Sequence, residues 1–301
     1  MWFKNLLIYS LKSWTDTAES LEEKLAEHAL QACGGLEMQT QGWVAPKGEG
    51  NPFVHAQGQH LLITLGMEKK LLPTTVVNQF AKARAAEIEE RDGYKPGRKQ
   101  MKEIKEDVLD DLLPRAFVIR STVRAWIDTR RQLLIVDAGA ASKADALVSL
   151  LIKCVEGTGL SPLKTKLSPT VAMTSWMADD DNPPQFSIDQ DCELRGRGEA
   201  GSTVRYVRHS LEVAEIRKHI EGGKDVTKLA MTWADRVSFV LQENLQIKRV
   251  SPLDVIREQA SLSAPDEEFE ADFALMTGEL GKLLDALVDA LGGPLNASPQ
   301  Q

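Results

Sequence analysis

The sequence predicts an α+β protein built from two mixed units of sheet and helix, with a helical hairpin protruding from the first. Three observations carry this. Short runs rich in β-branched and apolar residues, at 60–67, 116–128, 132–137 and several between 202 and 250, read as strands. Apolar stripes at helical spacing, at 16–31, 74–112 and 265–291, read as helices, and a connector holding Gly157, Gly159, Pro162 and Pro169 parts the two halves. The division expected is residues 1–73 with 115–160 as the first unit, 74–114 as the hairpin, and 161–301 as the second unit with its acidic C-terminal helices.

Taken in order, a first strand through Tyr9 precedes a helix from Asp16 to Gln31, with Leu21, Leu25, Ala29 and Ala32 on one stripe, closed by Gly34 and Gly35. A segment with Gly42, Trp43, Pro46 and Pro52 leads to the strand at His60–Met67. After Pro73, with Thr74 or Thr75 as N-cap, Val77, Ala81, Ala85 and Ile88 mark a helix. The turn formers of Asp92–Gly97 break it, and a return helix carries Met101, Ile104, Val108, Leu109 and Leu112 before Pro114 stops it. Each helix would reach roughly 27 Å at 1.5 Å per residue. A β-hairpin, 116–128 and 132–137, and a helix, 142–155, complete this half. Beyond the connector come an acidic loop at Asp179–Pro184, a base-rich strand at Ser202–His209, a helix at Glu212–Glu221 and a meander at 224–250; the final helical segment, 265–291, ends at Gly292-Gly293-Pro294 before a disordered tail.

Composition excludes several classes. At 301 residues, 43% apolar and 27% charged, the chain can bury a sizeable core. No apolar run reaches the roughly 18 residues of a membrane span, and the opening segment reads as a strand rather than a signal peptide, which implies a cytoplasmic protein without membrane partners. Cys33, Cys154 and Cys192 stand far apart without a CxxC pair, so neither a disulfide framework nor a zinc site is expected. No P-loop occurs, His55 and His60 have poor ligand spacing, and no nucleophile motif is present, so no cofactor is called for. Asp179, Asp180 and Asp181 could hold Mg²⁺ for phosphodiester hydrolysis, although adjacent acids on a proline-rich loop fit a solvated turn better.

The net charge of −8 is unevenly placed: residues 266–291 hold eight acids and one base, leaving the rest near neutral. A second acidic patch runs from Asp179 to Glu193. From Gln79 to Lys105, by contrast, eight bases face five acids, and Arg98, Lys102 and Lys105 share one helical face with Lys95 and Lys99 nearby. Such a face is either plain solvated surface or a phosphate-tracking one. Bases also collect along Arg115–Arg124 and at Arg205, Arg208 and His209. Non-specific duplex binding requires only bases on exposed elements, without a base-reading motif. Trp43, Trp126, Trp176 and Trp233 lie in apolar contexts and read as core.

Five blocks in order, Met1–Leu6, Leu112–Phe117 (LLPRAF), Trp126–Thr129, Val226–Ala230 (VTKLA) and Phe269–Leu280 (FEADFALMTGEL), resemble the RdgC family of bacterial recombination-associated proteins nearly end to end. The resemblance implies an α+β subunit that pairs into a ring-shaped homodimer around double-stranded DNA, without sequence preference and without catalysis. It further implies nucleoid association and restraint of RecA-mediated recombination by occupation of the DNA. By the same resemblance Arg208 and His209 are the first candidates for DNA contact, with Arg205 beside them. Lys95, Arg98, Lys99, Lys102 and Lys105 follow, while Arg115 fits either DNA contact or a structural ion pair. Phe117 fits either the subunit contact of the ring or a core position opening a strand. Two other readings stand beside this one: an adaptor working through its acidic C-terminal helix, and a metal-dependent nuclease using Asp179–Asp181.

Overall fold

A computed structural model describes residues 2–198, 201–209, 211–260 and 268–295. Its strands are β1 (Asn5–Ser10), β2 (Gln39–Val44), β3 (His55–Gln57), β4 (His60–Leu71), β5 (Phe117–Asp128), β6 (Leu133–Asp137) and β7 (Ser161–Pro162). Then come β8 (Phe186–Gly196), β9 (Thr203–Tyr206), β10 (Lys224–Trp233), β11 (Val237–Gln242) and β12 (Ile247–Pro252). The helices are α1 (Ala18–Ala26), α2 (Thr74–Asp92), α3 (Arg98–Leu112), α4 (Ala141–Cys154), α5 (Pro169–Asp179), α6 (Val213–Glu221), α7 (Asp254–Ala260) and α8 (Glu268–Ala290). The fold is therefore mixed α+β. It falls into a larger unit, Met1–Ala18, Ala56–Leu62 and Arg124–Gln301, and a smaller one, Glu19–His55 and Ile63–Val123, with the chain passing between them four times, at the start of α1 and within β3, β4 and β5.

The larger unit is an antiparallel sheet in the order β5-β6-β1-β12-β11-β10-β8-β9, with β7 beside β1. One face is closed by helices. Leu6, Ile8, Trp126, Ile135, Leu229, Met231, Phe239 and Leu241 pack with Met173 and Met177 of α5, Ile216 of α6, Ile256 of α7 and Phe273, Leu280, Leu284 and Leu287 of α8. Alternation then dictates the second face. On β5, β6 and β1 it carries the buried Ala125, Ile127, Leu134, Val136 and Leu7. From β12 to β9 the residues out of phase with the core are Lys248, Val240, Gln242, Lys228, Glu193 and Arg205, so here the second face is polar. Gly292 (φ 78°) and Gly293 (φ 90°) end the last helix as the glycine pair predicts. The predicted start at 265 and the tail beyond 295 lie outside the described residues.

In the smaller unit β2 pairs antiparallel with β4, Gln39–Val44 against Lys69–Thr64, and β5 lies on the other side of β4. The helix expected over 16–31 is shorter, ending at Ala26, because the next residues bond to β2: Leu30 N–H donates to the Trp43 carbonyl at 2.9 Å and Trp43 N–H to that of His28 at 2.9 Å. Gly42 makes this approach possible, since a Cβ there would sit 2.5 Å from the Leu30 backbone. Helices α2 and α3 bury Val77, Ala81, Ile104 and Val108 against one another, flanked by Ala85, Ile88, Met101, Leu109 and Leu112. Pro73, rather than Thr74 or Thr75, is the N-cap of α2 and makes no side-chain cap bond; Gly93 (φ 78°) ends the helix, its N–H on the Glu89 carbonyl.

Candidate nucleic-acid interface

On β9, Arg205 is not a free cation. Its Nε donates to Glu193 Oε2 at 3.0 Å and a second guanidinium nitrogen to the same oxygen, because β8 and β9 pair Glu193 directly with Arg205. Glu193 is 2% exposed, and β10 aligns Lys228 on its other side, Nζ to Oε2 at 3.0 Å. Arg195 at 3.5 Å and the Thr227 hydroxyl at 3.2 Å reach Oε1. Burial pushes the Glu193 carboxyl up, but the bonds from Arg205 and Lys228, with the Lys228 charge, outweigh it and hold it down at about 2. The adjacent Cys192 thiol is pushed up to about 12, first by burial and then by the Glu193 charge, so it is an inert core thiol.

Past the end of β9 the chain stays against β8, His209 N–H donating to the Gln190 carbonyl at 3.4 Å. Arg208 adopts φ 51°, its N–H donating to Asp191 Oδ1 at 2.8 Å, and its side chain is exposed. The exposed ring of His209 stands 5.9 Å from that of Tyr206. In the smaller unit Lys95, Arg98, Lys99, Lys102, Lys105 and Arg115 are all exposed. Lys102 pairs with Glu106 at 3.3 Å, one turn on, and Lys95 lies 3.9 Å from Glu89. Among the described residues, no carboxylate comes within ion-pair distance of Arg98, Lys99, Lys105, Arg115 or Arg208. The structure thus sorts the predicted bases into committed ones, Arg205 above all, and available ones. Phe117 opens β5 with 83% of its surface exposed, followed by Val118 and Ile119 at 43% and 52%, so it is not a core residue.

Three bases that the sequence did not single out lie beside Arg205: Lys228, Lys248 and Arg249, the last with φ 53° and its Nη1 3.3 Å from Asp191 Oδ2. The acids of the other two readings are placed as follows. Asp179 ends α5 and accepts from Ser175 at 2.8 Å, while Asp180 is the left-handed C-cap, N–H to the Trp176 carbonyl. Among the described residues no group of three His, Cys, Asp or Glu side chains is arranged to hold a metal ion. Helix α8 is largely core, and two of its acids serve internal pairs: Glu279 with Arg236 at 2.6 Å and Asp285 with Arg131 at 2.6 Å. No helix among the described residues is long and apolar enough to cross a membrane.

Over residues 1–294 the chain matches the family model described as "Putative exonuclease, RdgC". It is 55% identical over 296 residues to the recombination-associated protein RdgC of Bordetella pertussis (strain Tohama I), spanning 97% of this chain and 99% of that one. With the protein of the same name from Janthinobacterium sp. (strain Marseille) the identity is 55% over 97% and 98% of the two chains, and with that of Cupriavidus pinatubonensis it is 52% over 99% and 100%. Fold and kinship together define the class, an α+β protein associated with recombination. The chain belongs to the RdgC family.

Proposed function

We propose that the chain binds double-stranded DNA without sequence preference, as a homodimeric ring around the duplex, and restrains RecA-mediated recombination by occupying the DNA. One observation carries the reading: Arg98, Lys99, Lys105, Arg115 and Arg208 are exposed and without carboxylate partners among the described residues, in a chain of net charge −8. A cation already paired must give up its carboxylate before it can neutralise a phosphate, whereas an unpaired one neutralises the phosphate, and frees the counterions condensed on the DNA, without that cost. Two of the six acids of α8 favour the same reading over the adaptor, since Glu279 and Asp285 pair with Arg236 and Arg131 of the chain itself. Exposed Phe117, Val118 and Ile119 form an apolar run suited to the subunit contact. The reading is non-catalytic, and places the protein in the cytoplasm on the nucleoid.

Duplex affinity measured against salt concentration tests this. The wild type is expected to show a steep slope, and the double variants Arg208→Ala/His209→Ala and Arg98→Ala/Lys99→Ala a slope smaller by about 0.9 for each phosphate no longer neutralised. Absence of duplex binding at low salt overturns the reading in favour of an adaptor. Shortening of linear duplex in Mg²⁺, abolished by Asp180→Ala, overturns it in favour of a nuclease.

A further inference from the structure

The polar second face of the larger unit's sheet holds a cleft of about 480 Å³, where Arg205, Lys228, Lys248 and Arg249 stand against Asp191 and Glu193, four bases to two acids. Strand register lays them out: Arg205, Glu193, Lys228 and Gln242 are successive cross-strand partners from β9 to β11, and Lys248 faces Val240 from β12. At about 4.8 Å per strand, the backbone of Lys228 lies roughly 10 Å from that of Arg205, with that of Lys248 a similar distance further on, while the charged ends of Arg205 and Lys228 meet at Glu193 Oε2. The Arg205 side chain, 63% exposed, can leave Glu193 without stranding it, because Lys228 at 3.0 Å and Thr227 at 3.2 Å remain.

We propose that this cleft is a phosphate-binding subsite, in which Lys248, Arg249 and an Arg205 released from Glu193 hold phosphate oxygens while Glu193 and Asp191 act as built-in counter-charges that weaken binding. The inference rests on the duplex reading, which supplies the phosphates. A carboxylate and a phosphate offer the same guanidinium similar charge and bidentate geometry, so Arg205 exchanges one for the other. The cleft's affinity is therefore set by competition inside the protein. Removing a counter-charge must strengthen binding, the reverse of what a merely structural carboxylate does.

The test uses full-length protein and a duplex oligonucleotide titrated across salt, with melting temperatures recorded for each variant. Lys248→Ala/Arg249→Ala is expected to lower the salt slope by about 1.8, at 0.9 for each phosphate. Glu193→Gln is expected to bind several-fold more tightly at low salt, and Asp191→Asn, at the cleft margin, to shift in the same direction should Glu193→Gln fail to fold. An unchanged slope in the double variant, or unchanged or weaker binding by a folded counter-charge variant, overturns the proposal while the wild-type curve still upholds duplex binding. A wild type that does not bind duplex sinks the underlying reading instead. Inorganic phosphate then decides for the cleft, raising the melting temperature of the wild type but not of Lys248→Ala/Arg249→Ala if the proposal holds, and of both or neither if it does not.

Discussion

At Glu193, one carboxylate buried on an otherwise open sheet face ties three strands together, and its chemistry sets a pH dependence of stability. Burial raises its carboxyl, and the bonds from Arg205 and Lys228 lower it by more, leaving it at about 2 against an ordinary 4.5. Because the folded value lies below the unfolded one, this group's contribution is fully present above about pH 4.5 and is lost as pH falls toward 2. The shift corresponds to roughly 2–3 kcal/mol, allowing for solvent screening by way of the half-exposed Arg205 and Lys228. Urea unfolding of wild type and Glu193→Gln is expected to show a gap of that size at pH 7 that narrows steadily toward pH 2.5. A gap independent of pH would mean that shape and hydrogen bonding, not charge, make Glu193 matter. On the proposal that the cleft holds phosphate, the same residue links stability to binding: whatever it gives the fold by holding Arg205, it withholds from a phosphate.

At the scale of the element, α8 carries two glycines three residues apart whose surroundings oppose each other. Nothing lies within 4 Å of a Cβ added at Gly278, whereas one at Gly281 would meet Arg131 Nη1 at 2.8 Å and Cζ at 3.0 Å. Arg131 cannot move aside cheaply, since it bonds Asp128, 0% exposed, at 2.8 Å and Asp285 at 2.8 and 2.6 Å. Thermal unfolding of the two alanine variants should therefore move in opposite directions: Gly278→Ala stabilised by about 0.5–1 kcal/mol through helix propensity, Gly281→Ala destabilised by about 1–3 kcal/mol through overpacking and a disturbed ion-pair network. Equal stabilisation by both would show that Arg131 is not fixed against the helix. Periodicity makes α8 and the α2–α3 pair legible in the sequence, because burial of one face imposes a spacing that local reading detects. Where longer-range pairing decides, the reading was incomplete. The helix expected to Gln31 stops at Ala26 because Trp43 claims the backbone beyond it. In sequence Arg205 reads as a free base because its partner lies twelve residues back on β8, and nothing local marks Lys248 and Arg249, whose place depends on the register of β12 and a positive-φ residue within it. Phe117 fits either core or surface on local grounds; its 83% exposure is decided by what the rest of the fold leaves uncovered.

For the whole molecule, encirclement makes a demand that non-specific affinity does not. A symmetric pair of subunits encloses a hole only if the subunits meet at two separate places, so breaking one of the two junctions leaves an open clamp rather than separate monomers. Phe117, Val118 and Ile119, exposed in sequence at the start of β5, are the run proposed for one of these junctions, and a charge placed there would be buried without a partner. Phe117→Asp should therefore spare the bases proposed to hold phosphate, which are other residues, while abolishing topological retention. Wild type loaded on a nicked circle and diluted into high salt is expected to remain bound long after it has left linear duplex of equal length, because electrostatic attraction is screened but a closed ring has no end to leave by. For Phe117→Asp the two substrates should release protein at the same rate, with low-salt affinity for a short duplex within a few-fold of wild type. Retention of the variant on circles would remove Phe117 from the closing junction, and equal release of the wild type from circles and lines would leave an electrostatic binder that lies along DNA rather than around it.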